Sequence, residues 1–245
     1  MVSKGEIKLI TGLDQKKYRN RHGIFVAEGV KVITELINAG MTLRELYTTD
    51  TTCFSFAGDH LREISDRELK KISRLKSPNK ALALFEIPEV KEAGNSGLVL
   101  VLDDIRDPGN LGTIIRLCDW FGIENLVCST TTVDCYNTKV VQATMGSLAR
   151  VNIIYTDPET YIRESGLPVI IADMNGENVY KTTLPQQGIL VMGNEANGVS
   201  ERIRSTAHRT LSVPRFGRIQ ETESLNVATA TAILLSEFRR RIDQL

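Results

Sequence analysis

Beyond about residue 97 the chain alternates short, predominantly apolar runs with helix-length segments, and this alternation restricts its fold more than any other feature. The runs are LVLVL (98–102), NLVCS (125–129), VIIAD (169–173), GILVM (188–192) and TLSVP (210–214). A strand with one wet face alternates apolar and polar residues. A strand apolar throughout must be covered on both faces, as in a parallel sheet flanked by helices. The spacing predicts helices over about 111–121 (closed by Gly122), 137–148, 158–165 and 199–207. A last helix is expected from Ser224, read as its N-cap, through VATATAILLSEFRRR, with cationic residues in its closing turns.

Upstream the pattern differs. KVITELINAG reads as an amphipathic helix stopped by Gly40, and DRELKKISRL as another. LRELYTTD and ALALFEIP read as strands. The polar, glycine-containing EVKEAGNSG has no apolar period and reads as a linker. The expected organisation is a smaller α/β domain over 1–88, a linker over 89–97 and a parallel-sheet α/β domain over 98–245. A chain of 245 residues suffices for two modest cores.

Several function classes fall away on composition. No apolar stretch approaches the roughly 18–20 residues of a membrane span, and MVSKGEIKLITG has no apolar core after Lys4 to make it a signal peptide. Cys53, Cys118, Cys128 and Cys135 form no CxxC pair, so they read as buried thiols of a reducing compartment, and a cytoplasmic location is expected. His22, His60 and His208 are scattered and read as structural or surface residues; no metal cluster is visible and none is expected. Net charge is zero, yet residues 1–92 carry 16 Lys/Arg against 13 Asp/Glu, with Lys16, Lys17, Arg19 and Arg21 crowded into one segment. Phosphate binding depends on such local clusters, so these four are candidate RNA contacts. As it stands, the run also fits a solvated surface.

Open α/β sheets bind ligands beyond the carboxyl ends of their strands, which directs attention to three segments. In DDIRDPGNLGTIIRLCDWFG (103–122), Pro108 and Gly109 set a turn, Asn110 stands at the helix entrance, and Arg116 lies six residues on. In GILVMGNEANGVS (188–200), Gly193 permits close backbone approach and Glu195 brings a carboxylate to the same mouth. Val199 occupies the position where a P-loop requires lysine, and no G-x-G-x-x-G occurs, which argues against a triphosphate cradle and against a dinucleotide-binding oxidoreductase. In VPRFGRIQETESLNVATATAILL (213–235), Ser224, Leu225 and Asn226 open an otherwise apolar helix.

Together, N-x-G-x-x-x-R, the G-N-E-x-x-G loop and P-…-S-L-N resemble the three signature motifs of the SpoU (TrmH) family of AdoMet-dependent RNA 2′-O-ribose methyltransferases, in order, spacing and strand-end placement. KKYRNRHGIFVAEGVKVITELI is similar to the substrate-binding domain that precedes the catalytic domain in many members. VDCYNTKVVQATMGSL is similar to the family's Asn-x-Lys segment, placing Asn137 and Lys139. The resemblance implies a deep C-terminal trefoil knot, which periodicity alone would never suggest, and an L30e-like N-terminal domain. It also implies a homodimer with the active site close to the subunit interface.

By the same resemblance, S-adenosyl-L-methionine (AdoMet) is the methyl donor, contacted by Ala172, Gly193, Val213 and Leu225. Asn110, Arg116, Glu195, Ser224 and Asn226 form the catalytic set, and Lys139 joins the RNA contacts. Two departures stand out. Gln142 replaces an arginine common in the family, and Pro214 and Ser224 are separated by RFGRIQETE, about three residues beyond the common spacing. The N-terminal domain favours rRNA over tRNA as substrate. A non-catalytic RNA-binding or ribosome-assembly protein on the same fold is the rival from another class.

Overall fold

The computed structural model describes residues 1–54, 58–94, 96–219 and 224–240. The chain divides into two compact units, Met1–Glu89 with Asp134–Arg150, and Val90–Val133 with Val151–Leu245.

The first unit opens with α1 (Lys4–Gly12), α2 (Lys16–His22), β1 (Ile24–Glu28), α3 (Val30–Asn38), β2 (Leu43–Thr48), β3 (Leu61–Glu63), α4 (Asp66–Ile72) and β4 (Ala81–Glu86). Its sheet runs β1-β4-β2-β3, with β4 antiparallel to both neighbours and β3 parallel to β2. Two S-x-x-E stretches start helices for a local reason. Ser3 and Glu6 begin α1, and Ser65 and Glu68 begin α4, as reciprocal capping boxes that satisfy otherwise orphaned amides. Ile10, Leu13, Ile24, Leu69, Ile72 and Leu82 fill the core between helices and sheet.

The second unit begins with β5 (Leu98–Leu102), α5 (Pro108–Trp120) and β6 (Asn125–Cys128). The chain then runs through the 134–150 stretch, whose helix α6 (Thr138–Thr144) packs on β1 within the first unit. It continues with β7 (Asn152–Tyr155), α7 (Pro158–Ser165), β8 (Val169–Asn178), β9 (Gly188–Met192), α8 (Glu201–Arg204), β10 (Arg209–Ser212) and α9 (Val227–Arg240). The six strands form one parallel sheet in the order β10-β8-β9-β5-β6-β7. Alternate residues Val99, Val101, Ile189 and Val191 point into one core layer, so both faces of the central strands are covered.

The departures from expectation have physical causes. Strand β7 was not read from the sequence because NIIY is a half-buried edge of four residues with no long apolar run. Strand β8 runs five residues beyond Asp173. Its pairing with β10 jumps from Ile171–Thr210 to Glu177–Leu211, so Ala172 sits at the start of an irregular stretch and not at a strand end. Gly176 lets the two strands close, since a Cβ there would lie 2.6 Å from the Leu211 backbone. The helix expected over 199–207 shrinks to α8 because the hydroxyls of Ser205 and Thr206 bond back to the carbonyls of Arg202 and Ile203. No helix among the described residues is long and apolar enough to cross a membrane.

Candidate active site

From β5 the strands step outward in one direction through β6 and β7, and in the other through β9, β8 and β10. The sheet therefore reverses direction between β5 and β9, and the crevice beyond their carboxyl ends is where such sheets take ligands. Segments 103–110 and 193–200 follow these two strands.

Asp107 caps α5, its carboxylate accepting from the Asn110 amide at 2.8 Å, and Pro108 supplies the fixed first φ. With its backbone satisfied, Asn110 has a free side chain. Its Nδ2 donates to Glu195 Oε1 at 2.7 Å, and its Oδ1 accepts from Asn226 Nδ2 at 2.9 Å. Asn226 is in turn held by its own helix, where its Oδ1 accepts from the amides of Ala228 (3.0 Å) and Thr229 (3.2 Å). The cap of α9 is thus Asn226 and not Ser224, which corrects the sequence reading. Asparagine carries an acceptor and donors on one planar group, so it can cap a helix and still reach sideways. Three segments 85 and 116 residues apart in sequence meet in one hydrogen-bonded chain, Asn226 to Asn110 to Glu195.

Helices α5 and α9 pack together, and both amino ends lie at this chain, so their partial positive charges converge there. Arg116 lies in the third turn of α5, about 9 Å along the axis from Asn110 at 1.5 Å per residue. It is exposed and makes no hydrogen bond or ion pair with any described residue. Ser224 and Leu225 precede Asn226 on the surface, Leu225 being 47% exposed. Residues 220–223 of this segment and Arg241 of the expected last helix lie outside the described residues.

Sequence reading missed the residues that hold this loop system in place. Asn194 donates to the Asp104 carbonyl at 2.8 Å, and its Oδ1 accepts from the amides of Ala196 and Asn197, both at 3.0 Å, which fixes the loop carrying Glu195. Buried Asp103 accepts from the Ser200 amide at 2.7 Å, and Ser129 Oγ accepts from the Asp104 amide at 2.9 Å. Arg106 beside Asp104 holds its carboxyl below the usual carboxylate range. Asp and Asn in loops are too common to flag such roles; only strand-end placement hinted at them. Gly193 also has a structural task. A Cβ there would lie 2.2 Å from the Gly198 and Val199 backbone, so the glycine lets the loop fold back on itself.

Ala172, Gly193 and Val213 are half-buried beside the adjacent strands β8, β9 and β10. Their backbone groups and apolar side chains suit the adenine of AdoMet, and Leu225 is exposed on the segment before α9.

In the first unit, Lys16, Lys17 and Arg21 are exposed on α2 and Lys139 is exposed on α6. Arg19 is not, which corrects its place in the basic cluster. It is 2% exposed, and its guanidinium donates to the carbonyls of Leu13 (2.6 Å) and Asp14 (2.9 Å) and pairs with Asp134. Helix α2 turns that residue inward, toward a partner 115 positions away that no local pattern reveals. Of the histidines, His208 accepts from the Val169 amide at 3.1 Å, and His60 contacts the Arg44 carbonyl. None of the four cysteines is in a disulfide; Cys53 is half-buried and the others are buried. No group of three or more His, Cys, Asp or Glu among the described residues could hold a metal ion.

The model of the SpoU rRNA Methylase family matches residues 97–236, more than half of the chain and all three segments of the site. The chain belongs to that family. The N-terminal region of this SpoU protein, residues 4–83, matches the MRM3-like substrate binding domain. It is 29% identical to the 23S rRNA (guanosine(2553)-2′-O)-methyltransferase of Bacillus subtilis, over 93% of each chain. Among solved structures it is similar to a TrmH-family protein from Porphyromonas gingivalis, with 37% identity, a TM-score of 0.88 and coverage of 98% of this chain and 99% of that one. It is also similar to an AdoMet-bound rRNA methyltransferase from Sinorhizobium meliloti, with 28% identity, a TM-score of 0.85 and coverage of 99% and 97%. The SpoU motifs of this chain are the segments that its hydrogen bonds tie together.

Proposed function

We propose that the chain transfers a methyl group from AdoMet to a ribose 2′-hydroxyl of rRNA. The observation that carries this reading is the chain Asn226–Asn110–Glu195 at the reversal point of the parallel sheet, with Arg116 on the same helix as Asn110. The rRNA methyltransferase names of its relatives agree with it.

AdoMet, when bound against Ala172, Gly193, Val213 and Leu225, supplies a methyl group activated by the neighbouring sulfonium. The protein has only to align the attacking hydroxyl and handle one proton. Alignment is worth roughly 7–11 kcal/mol in favourable cases and proton handling roughly 10²–10⁴-fold. Arg116 carries a delocalised guanidinium, a planar fork of donors with no acceptor and so a poor base. Its role is to hold the phosphate next to the target ribose and stabilise the developing alkoxide, while a phosphate oxygen takes the proton. Glu195 Oε1 is occupied by Asn110, which leaves Oε2 to accept from a ribose hydroxyl. Asn110 sets the carboxylate's direction, and Ser224 and Asn226 shape the wall beside the methyl.

In this reading residues 98–245 form the catalytic domain, tied in a trefoil knot and lending its 134–150 stretch to the first unit, and residues 1–88 form an L30e-like RNA-binding domain. Lys16, Lys17, Arg21 and Lys139 contact phosphates. The working form is a cytoplasmic homodimer. Trp120, 84% exposed on α5 beside α9, is the kind of apolar surface a second subunit covers. Calorimetric titration with AdoMet, followed by tritium transfer to rRNA from a strain lacking the gene, tests the activity. AdoMet binding and labelled 2′-O-methylribose support it; a purified protein with no affinity for AdoMet ends it.

A further inference from the structure

The first unit contains a cavity of about 530 Å³ whose walls include Arg74, Leu75, Lys139, Gln142, Ala143 and Asp14. That volume lies within the usual range for a small-molecule-sized ligand. Arg74 is held at the cavity by groups behind it. Buried Glu28 accepts from the Arg74 amide at 2.9 Å and from the Ser73 hydroxyl. The guanidinium donates through Nη2 to the Thr11 carbonyl at 2.8 Å and pairs through Nε with Asp14, leaving Nη1 without a described partner. Lys139 is anchored at its backbone, where Asn137 Oδ1 accepts from the amide at 2.9 Å, and its ammonium has no described partner. The carboxylate of Asp14 is engaged by Arg74, with Thr138 Oγ1 at 3.5 Å.

One cavity therefore presents two cations against one compensated carboxylate. It also offers an apolar patch from Leu75 and Ala143, and an amide at Gln142 that makes no hydrogen bond with a described residue. A nucleotide answers to all three: a phosphate for Arg74 and Lys139, a sugar or base face for the apolar patch, and a base edge for the Gln142 amide. Beside Asp14, α2 continues the positive surface with exposed Lys16, Lys17 and Arg21, which suits neighbouring phosphates of a strand better than a lone nucleotide.

We propose that this cavity is a substrate-RNA subsite, in which Arg74 and Lys139 hold one phosphodiester and Gln142 meets the attached base. The inference rests on the RNA-methyltransferase reading and goes beyond it by assigning the N-terminal unit a built pocket with a named arginine.

The test is filter binding of in vitro-transcribed 23S rRNA across a salt series, by the full-length protein and its Arg74→Gln, Lys139→Gln and Gln142→Arg variants. Each lost cation is expected to lower the slope of log K against log salt by about 0.7–0.9, which is about five- to eightfold in affinity at roughly 0.1 M salt. Gln142→Arg is expected to raise affinity and slope by a similar step. AdoMet affinity of Arg74→Gln is expected to match wild type, with KM for RNA raised and kcat retained. Wild-type-like RNA affinity and slope in all three variants would overturn the subsite. Uridine monophosphate that binds wild type and loses that binding in Arg74→Gln, with RNA affinity untouched, would overturn the RNA assignment. Failure of wild type itself to transfer methyl groups would instead count against the function, so the two failures are distinguishable.

Discussion

Asn110 has a task that few side chains can perform, donating to a carboxylate with one end of an amide while accepting from a second amide with the other. Asn110→Asp keeps the shape but sets two carboxylates against each other, and is expected to lower single-turnover methyl transfer about 10²-fold. Asn110→Asp/Glu195→Gln restores a donor opposite the new carboxylate and should recover part of that loss in a double-mutant cycle. No recovery would mean that Glu195 meets the substrate as a charge and not mainly as a partner of Asn110. Arg19 makes the opposite case, a charge spent entirely on structure. Arg19→Met strands the nearly buried Asp134 and is expected to cost about 3–5 kcal/mol in urea unfolding, much of it regained in Arg19→Met/Asp134→Leu. Residue type in the segments after the strands singled out Asn110, Glu195 and Asn226, and the resemblance to the SpoU motifs gave them their expected roles. Arg19 was not legible, because K-K-Y-R-N-R looks the same whether one arginine faces water or a distant aspartate.

Elements with their punctuation written into the chain were read well. Helix α7 begins at Asp157-Pro158 and ends at Gly166 in the left-handed region, and both signals are local. Strand β8 was cut short because its polar second half is held by β10 and not by its own hydrophobicity. At the loop after β9, Gly193→Ala would press a methyl into the Gly198–Val199 backbone, so AdoMet affinity is expected to fall while the sheet's far-ultraviolet signature persists. The capping boxes make a pH statement. Hydroxyl and amide bonds from Ser3 bring Glu6 down to about 2 from an ordinary 4.5, and those from Ser65 do the same to Glu68. A carboxylate with a lowered folded pKa stabilises fully above its unfolded value and loses that contribution as pH falls. The thermal midpoint of the first unit is therefore expected to decline between pH about 4.5 and about 2, and Glu6→Gln/Glu68→Gln should flatten the decline from a lower starting point.

At the scale of the molecule, continuous apolar runs announced a covered parallel sheet, but not the order β10-β8-β9-β5-β6-β7, which depends on how crossovers and helices fit. The same order places Asn110 and Glu195 at the reversal point, so the fold and the site have one origin. Sedimentation is expected to show twice the chain mass for wild type and a shift toward monomer for Trp120→Glu, with no shift if that face is free. The claim on which everything else depends is that Arg116 acts on the transfer and not on the methyl donor's binding. It is tested by measuring AdoMet affinity by calorimetry and methyl transfer to rRNA by tritium counting in the same preparation of Arg116→Ala. Affinity within about twofold of wild type with transfer reduced at least about 10²-fold is the expected result. Undiminished transfer would contradict the account.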